Sequence, residues 1–204
     1  MYDFVHILSD KALYDEQAAK TTFWNNTDFY GIDISSIVPT AHKENFSQAI
    51  VGNFSSESLL TFSRTVHCID FSTVTCEELK NFEIPFSFRI DKIGIMHGFG
   101  GWFDLMFLGS SAHVELSTSP DHPGTHWYQC RLLLSEPIAV NRGQVVSGKM
   151  VFTANKKFSY DIDITARLEG TDIVSTNTVY LHDQAYNYLQ EQTGFWRVRP
   201  SSDA

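Results

Sequence analysis

Large apolar residues fall at every second position from Phe82 to Ile90. Phe82, Ile84, Phe86, Phe88 and Ile90 alternate with Asn81, Glu83, Pro85, Ser87 and Arg89. A period of two places one set on a single face, so the run predicts a half-buried β-strand. Pro85 cannot donate to a ladder and puts that strand at an edge or a bulge. The same period returns at Tyr160, Ile162, Ile164, Ala166 and Leu168 within a strand expected over 158–168. Further strands are expected over 66–71, 95–108, 112–117, 126–134, 148–154 and 172–181, with turns at Asn141-Arg142-Gly143 and Asn155-Lys156-Lys157. Gly98, Gly100 and Gly101 interrupt the 95–108 run and predict a bulge or sharp bend of the kind barrels use at corners. Many short strands separated by turn signals argue for a mainly β fold, a barrel or sandwich.

The amino-terminal quarter follows another pattern. Residues 9–20 read as a helix with Ser9 or Asp10 as N-cap, and Thr40 to Ile50 as a second helix in which Ala41, Phe46, Ala49 and Ile50 share a face. Between them Phe23, Trp24, Phe29, Tyr30, Ile32, Ile34 and Ile37 are mixed with Asn25, Asn26, Thr27, Asp28 and Gly31 on neither a helical nor a strand period. Large apolar groups on irregular backbone either cover a core edge or dock on a partner. A brief helical turn is expected at 75–79, a short helix over 183–190, and a frayed tail from 200 to 204.

Composition narrows the function classes. With 204 residues, 14% aromatic and 19% charged, the chain has enough apolar content for one folded domain. A net charge of −9 argues against nonspecific nucleic-acid binding, which draws on Lys and Arg at phosphates, and suits a basic peptide partner. Cys68, Cys76 and Cys130 are odd in number with no C-x-x-C, which favours a reducing compartment. The amino terminus lacks the basic and long apolar regions of a signal peptide, so the sequons at Asn25, Asn45 and Asn53 read as chance. No apolar run is long enough to span a bilayer, and no membrane partner is expected.

Candidate chemistry concentrates at Thr125-His126-Trp127-Tyr128-Gln129, which follows the turn Pro120-Asp121-His122-Pro123-Gly124. A loop at the mouth of a strand is where scaffolds hold functional side chains. Taken alone, His126 beside Trp127 reads first as structural, the imidazole hydrogen-bonded and the indole capping a core. His122 and His126 are four apart, but Pro123-Gly124 forbids the helix that would make them a metal face, and no metal is expected. His97 with Asp104 reads as a satisfied core or surface pair, and the Phe82–Phe88 stripe as core. No G-x-S-x-G occurs, and Gly98-Phe99-Gly100-Gly101 lacks the G-x-G-x-x-G spacing of a dinucleotide loop.

Four stretches taken together carry a resemblance. They are Phe82 to Phe88, His97 to Asp104, Leu116 to Pro120 and Thr125 to Gln129, with Ala154 to Ile162 as a further block. From about His6 to Leu181 the chain resembles the carboxy-terminal half of the protein arginine methyltransferases, specifically the type I, coactivator-associated branch that acts on histone and splicing-factor arginines. The resemblance implies a β-barrel with a helical dimerisation arm near its start, here residues 13–51, and makes Phe23, Trp24, Phe29, Tyr30 and Ile32 its contact residues. It reverses the weighting at the loop: Thr125 fixes the turn, while His126 and Trp127 form one wall of a composite site for the target arginine. It also implies that the AdoMet-binding nucleotide fold and the paired glutamates lie outside this chain, Glu77 and Glu78 not matching that pair. No cofactor is therefore expected in the chain itself, and no activity from it alone. The expected partners are a second copy through the arm or a methyltransferase nucleotide domain, and arginine-rich proteins such as histones, in nucleus and cytoplasm. The alternative is a non-catalytic module that pairs with and modulates a full-length relative.

Overall fold

A computed structural model describes residues 1–187. In chain order these form β1 (Tyr2–Leu8), α1 (Lys11–Thr22), α2 (Val38–Phe46), β2 (Gln48–Val51), β3 (Thr65–Cys68), α3 (Cys76–Lys80) and β4 (Asn81–Arg89). Then come β5 (Gly94–Leu108), β6 (His113–Ser117), β7 (Cys130–Val140), β8 (Val145–Ala154), β9 (Tyr160–Leu168) and β10 (Val174–Tyr186). The strands make one sheet in the order β3-β1-β5-β7-β2-β10-β9-β8-β4, with β6 paired to the far end of β5. Neighbours are antiparallel except β2 and β10, which run parallel.

The sheet curls until its two end strands face each other. His67 of β3 stacks on Phe82 of β4 with ring centroids 4.9 Å apart, so side chains join the ends that the ladder leaves open. This barrel-like wall encloses one core, to which β1, β2, β4, β5, β7, β8, β9 and β10 all contribute. The period of two explains the selection: β4 buries Ile84, Phe86 and Phe88 and leaves Glu83, Pro85 and Ser87 out, while β9 buries Ile162, Ile164, Ala166 and Leu168. Each fully buried side chain of this size contributes about 1.5–3 kcal/mol. Pro85 lies in an end strand whose only ladder partner among the described residues is β8, where a missing donor is tolerated.

The expected irregularity in β5 is matched by a bulge whose extra residues lie on β7. Met96 pairs with Ile138 and Gly98 with Leu133, so residues 134–137 of β7, Pro137 among them, face His97 alone. Gly98 is required there, because a Cβ would stand 2.2 Å from the Leu132 carbonyl oxygen and 2.8 Å from the Leu133 Cα. Gly143 takes φ +87° and turns β7 into β8 at the expected Asn141–Gly143 turn.

Most elements differ from the sequence reading by two or three residues at an end, and three differ by more. The helix expected over 40–50 ends at Phe46, and Ala49 and Ile50 are buried in β2 between β7 and β10, where strand pairing outweighs helical spacing. The strand expected from His126 begins at Cys130 and continues to Val140. Residues 183–186, expected to start a helix, extend β10 alongside β2; the rest of that expected helix from 188 onward, and the 200–204 tail, lie outside the described residues.

Candidate functional site

Residues 118–129 form a loop anchored at both ends and open in the middle. Thr118 is held against β5: its N–H and hydroxyl both donate to the Phe103 carbonyl (3.1 and 2.8 Å), and its Oγ1 accepts the Phe103 N–H at 3.1 Å. At the other end Gln129 is buried, its Nε2 donating to the Thr118 carbonyl at 2.8 Å and its Oε1 accepting the Phe54 N–H at 3.2 Å. The Gln129 carbonyl accepts the Gly52 N–H at 3.1 Å. Buried polar groups are stable only when bonded in this way, so one amide side chain ties the loop to β6 and to the segment after β2. The sequence reading included Gln129 and Thr118 in its quoted stretches but gave neither a role of its own. Their only local signal is a pair of small or polar residues immediately flanking a turn-rich loop.

On that base the Thr125 hydroxyl donates to the Trp127 carbonyl (2.9 Å) and accepts the Trp127 N–H (3.1 Å), closing a small local turn. His126 and Trp127 are exposed, their rings 4.0 Å apart at 34°, and the Phe103 ring meets Trp127 edge-on at 6.3 Å. Trp127 is 43% exposed, so the indole caps no core. The arrangement offers an imidazole and an indole on a braced support, and an indole face attracts a guanidinium. Thr125, His126 and Trp127 are thus brought together, whereas His122 is exposed on the approach. Among the described residues no group of three or more His, Cys, Asp or Glu is placed to hold a metal ion.

A second histidine, on β1, is buried. His6 stacks on Trp102 at 4.8 Å, and neither ring nitrogen has a hydrogen-bond partner among the described residues. Burial, with the Arg64 charge in support, lowers its pKa to about 4, against a smaller upward pull from Asp121 at the start of the loop. His97 and Asp104 do not pair. They sit seven residues apart on β5, roughly 23 Å at about 3.3 Å per residue, and His97 Nδ1 accepts the Asp10 N–H at 3.2 Å instead. Asp10 caps α1 by accepting the Leu13 N–H and receives Arg131 Nη1 at 3.0 Å, which fixes the helix to β7. Burial lowers the His97 pKa. It also pushes the Cys130 thiol up to about 12, far from a nucleophile's range.

The glycines of β5 and the acidic pair before β4 are already occupied by the fold. Adding a Cβ at Gly100 would bring it within 2.5 Å of the Phe54 ring, so this glycine, like Gly98, is spent on packing and cradles no nucleoside. Glu78 completes a capping box with Thr75, its carboxylate accepting the Thr75 N–H at 2.8 Å, and Glu77 pairs with Lys80. Both are committed to α3.

The stretch from 23 to 32 folds into a small aromatic knob. Phe29 and Ile32 exchange backbone hydrogen bonds (2.8 and 3.1 Å) around Tyr30 (φ 52°) and Gly31 (φ 83°), a turn with both central residues left-handed. Phe23, Trp24, Phe29 and Tyr30 meet edge-on at 4.8–5.5 Å. Phe23, Phe29, Tyr30 and Ile32 are nevertheless exposed, and Trp24 is half-buried. By contrast Leu13, Phe46 and Ile50 pack with Leu133 beside the barrel.

A curled sheet with a helical excursion after its first strand and a braced polar-aromatic loop before β7 defines a class. The chain belongs to the arginine methyltransferase oligomerization subdomain family, whose model matches residues 4–172. It is 42% identical over 180 residues to the histone-arginine methyltransferase CARMER of Anopheles gambiae, covering 88% of this chain and 29% of that protein. It is 41% identical over 181 residues to the CARMER of Drosophila willistoni, covering 88% and 34%. The chain thus spans about a third of the length of these relatives. Two solved structures share the fold. One is the Trypanosoma brucei PRMT1 enzyme-prozyme heterotetrameric complex (TM-score 0.70, 24% identity, 88% of this chain and 55% of that one). The other is Arabidopsis thaliana protein arginine methyltransferase 10 (TM-score 0.71, 18% identity, 88% and 59%).

Proposed function

We propose that this polypeptide is the substrate-binding and dimerising half of a histone-type arginine methyltransferase, and that the Thr125-His126-Trp127 loop is its wall of a composite active site. The observation that carries this is the loop itself: Gln129 and Thr118 brace its base, while His126 and Trp127 stand exposed at the tip with nothing of the barrel's core to cover. Trp127 offers the guanidinium an indole face, and His126 ties this wall to an acidic side chain of the nucleotide domain. AdoMet supplies the methyl group and binds on that other domain, as do the glutamates that grip the guanidinium. Histones and other arginine-rich proteins, in nucleus and cytoplasm, are the substrates, in keeping with the name of the CARMER relatives and with a net charge of −9.

The test is complementation. The purified chain transfers no label from AdoMet to an arginine-rich peptide, and adding the nucleotide domain of a CARMER relative restores transfer. His126→Ala and Trp127→Ala each lower the restored rate about a hundredfold, the scale of a misplaced reactant. Transfer by the chain alone, or full rates with both variants, defeats the proposal. The exposed knob supports a second reading, a non-catalytic module that pairs with a full-length relative and modulates it. Co-purification with that relative and a changed rate on mixing, without rescue of an isolated nucleotide domain, selects this one.

A further inference from the structure

One end of the barrel is hollow. A cavity of about 480 Å³ opens there, floored by the core side chains Leu132, Met150 and Ile162 and walled by Phe152. That volume is within the ~300–1,000 Å³ of pockets that hold small ligands. Its lining is almost wholly apolar, yet its rim is not. Asp3 stands at the mouth, and a second depression of about 390 Å³, sharing Ile69, Leu79 and Phe82 with the first, carries Asp70 and Glu78. Burial raises the Asp3 carboxyl, against a smaller opposing pull from His67 on the neighbouring strand, whose Nδ1 lies 3.6 Å away. Asp70 and Glu78 are held below the usual carboxylate range by hydrogen bonds from Ser72 and Thr75, so both are ionised at neutral pH.

The rim is continuous with the loop described above. Phe103 and Tyr128 both line the cavity; Tyr128 follows Trp127 directly, and the Phe103 ring lies 6.3 Å from the Trp127 ring. A polypeptide that lays an arginine against Trp127 therefore reaches the cavity mouth with its next two or three residues, given about 3.3–3.6 Å per extended residue.

From this geometry we infer that the barrel end is a second recognition pocket, which takes one aromatic or long aliphatic side chain of a basic peptide, two or three residues from the arginine held at Trp127. The cavity supplies apolar burial, and the carboxylates around its mouth select a segment carrying Lys or Arg side chains over a neutral or acidic one. The inference rests on the reading of Trp127 as a substrate wall and adds a specificity determinant to it.

Two fluorescent arginine-rich peptides, identical except for Phe or Ser two residues from the arginine, separate the outcomes on the full 204-residue chain. The Phe peptide binds about tenfold or more tighter by anisotropy, and its binding shifts the methyl resonance of Met150 while the Ser peptide leaves it in place. Asp3→Asn, at the rim, weakens the Phe peptide while the far-ultraviolet circular dichroism stays that of the folded wild type. Equal affinities, or a tight Phe peptide with an unmoved Met150 methyl, overturns the pocket. In the complementation assay, loss of rate with Trp127→Ala alongside equal kcat/KM for the two peptides rejects the pocket and keeps the wall. An inert Trp127→Ala rejects the wall, and the Met150 methyl still decides the pocket.

Discussion

The barrel and the knob at 23–32 are made from the same residue types and leave them in opposite states. Phe86, Phe88 and Phe99 are each no more than 5% exposed, whereas Phe23, Tyr30 and Ile32 are 55%, 92% and 65% exposed. The barrel's aromatics face one another across a curled sheet, so the chain itself supplies their burial. The knob's aromatics touch only at their edges and keep their outer faces in water. Covering such a side chain is worth about 1.5–3 kcal/mol, and in the knob that free energy is still to be realised. Folding stability and association are therefore held in separate parts of one chain, and substitutions can tell them apart.

The largest effect is expected where the barrel is tightest. Gly98→Ala puts a methyl 2.2 Å from the Leu132 carbonyl oxygen, and the near atoms are all β7 backbone, which cannot swing aside as a side chain would. It is expected to destabilise the fold by about 3 kcal/mol, the upper end for overpacking, read as a lower denaturation midpoint with an unchanged slope. A wild-type midpoint would mean that β5 and β7 do not approach this closely at the bulge.

How much of this was legible in the sequence depended on whether the cause was local. The alternation in β4 and β9 announced strand, face and core together, since a period of two is a property of neighbouring residues. Pro85 likewise signalled an edge. The end of α2 did not, because Ala49 and Ile50 fit a helical face as well as a strand, and the choice belongs to β7 and β10 on either side. At the loop, residue order gave Thr125, His126 and Trp127 but not their brace. Gln129 matters through Thr118 and Phe54, 11 and 75 residues away, contacts that no pattern along the chain encodes. His97 and Asp104 show the converse: proximity on one strand suggested a pair, and the partner of His97 came from Asp10 across the sheet.

A smaller effect sharpens the comparison from the side of the barrel. His6 has a folded pKa of about 4 against an ordinary 6.5, so between those values the unfolded chain binds the extra proton. Stability is fully present above pH 6.5 and is lost as pH falls towards 4, by about 3 kcal/mol from this group. His6→Phe keeps the stack on Trp102 and removes the titration. Its stability profile is expected to be flatter between pH 6.5 and 4 than that of the wild type, with the residual slope including the downward shift of His97. Parallel profiles for the two proteins would show that His6 is not the buried neutral base.

The smallest effect on folding is expected at the knob, together with the largest on assembly. Tyr30 occupies φ 52°, a left-handed conformation that costs a bulky residue on the order of 1 kcal/mol and that Asn accepts readily. Its ring is almost wholly in solvent and touches only Phe29 among the described ring contacts. Tyr30→Asn is thus expected to leave the denaturation midpoint unchanged or raise it by up to about 1 kcal/mol equivalent. Combined with Phe23→Ser, it removes much of the apolar surface that would bury against a second copy or a nucleotide domain. Light scattering at high concentration is expected to show self-association of the wild type and its loss in the double variant, with the barrel's melting curve intact. A wild type that stays monomeric and binds no relative's nucleotide domain would leave the knob as an exposed turn without a partner. A double variant that unfolds would mean that knob and barrel are not separable.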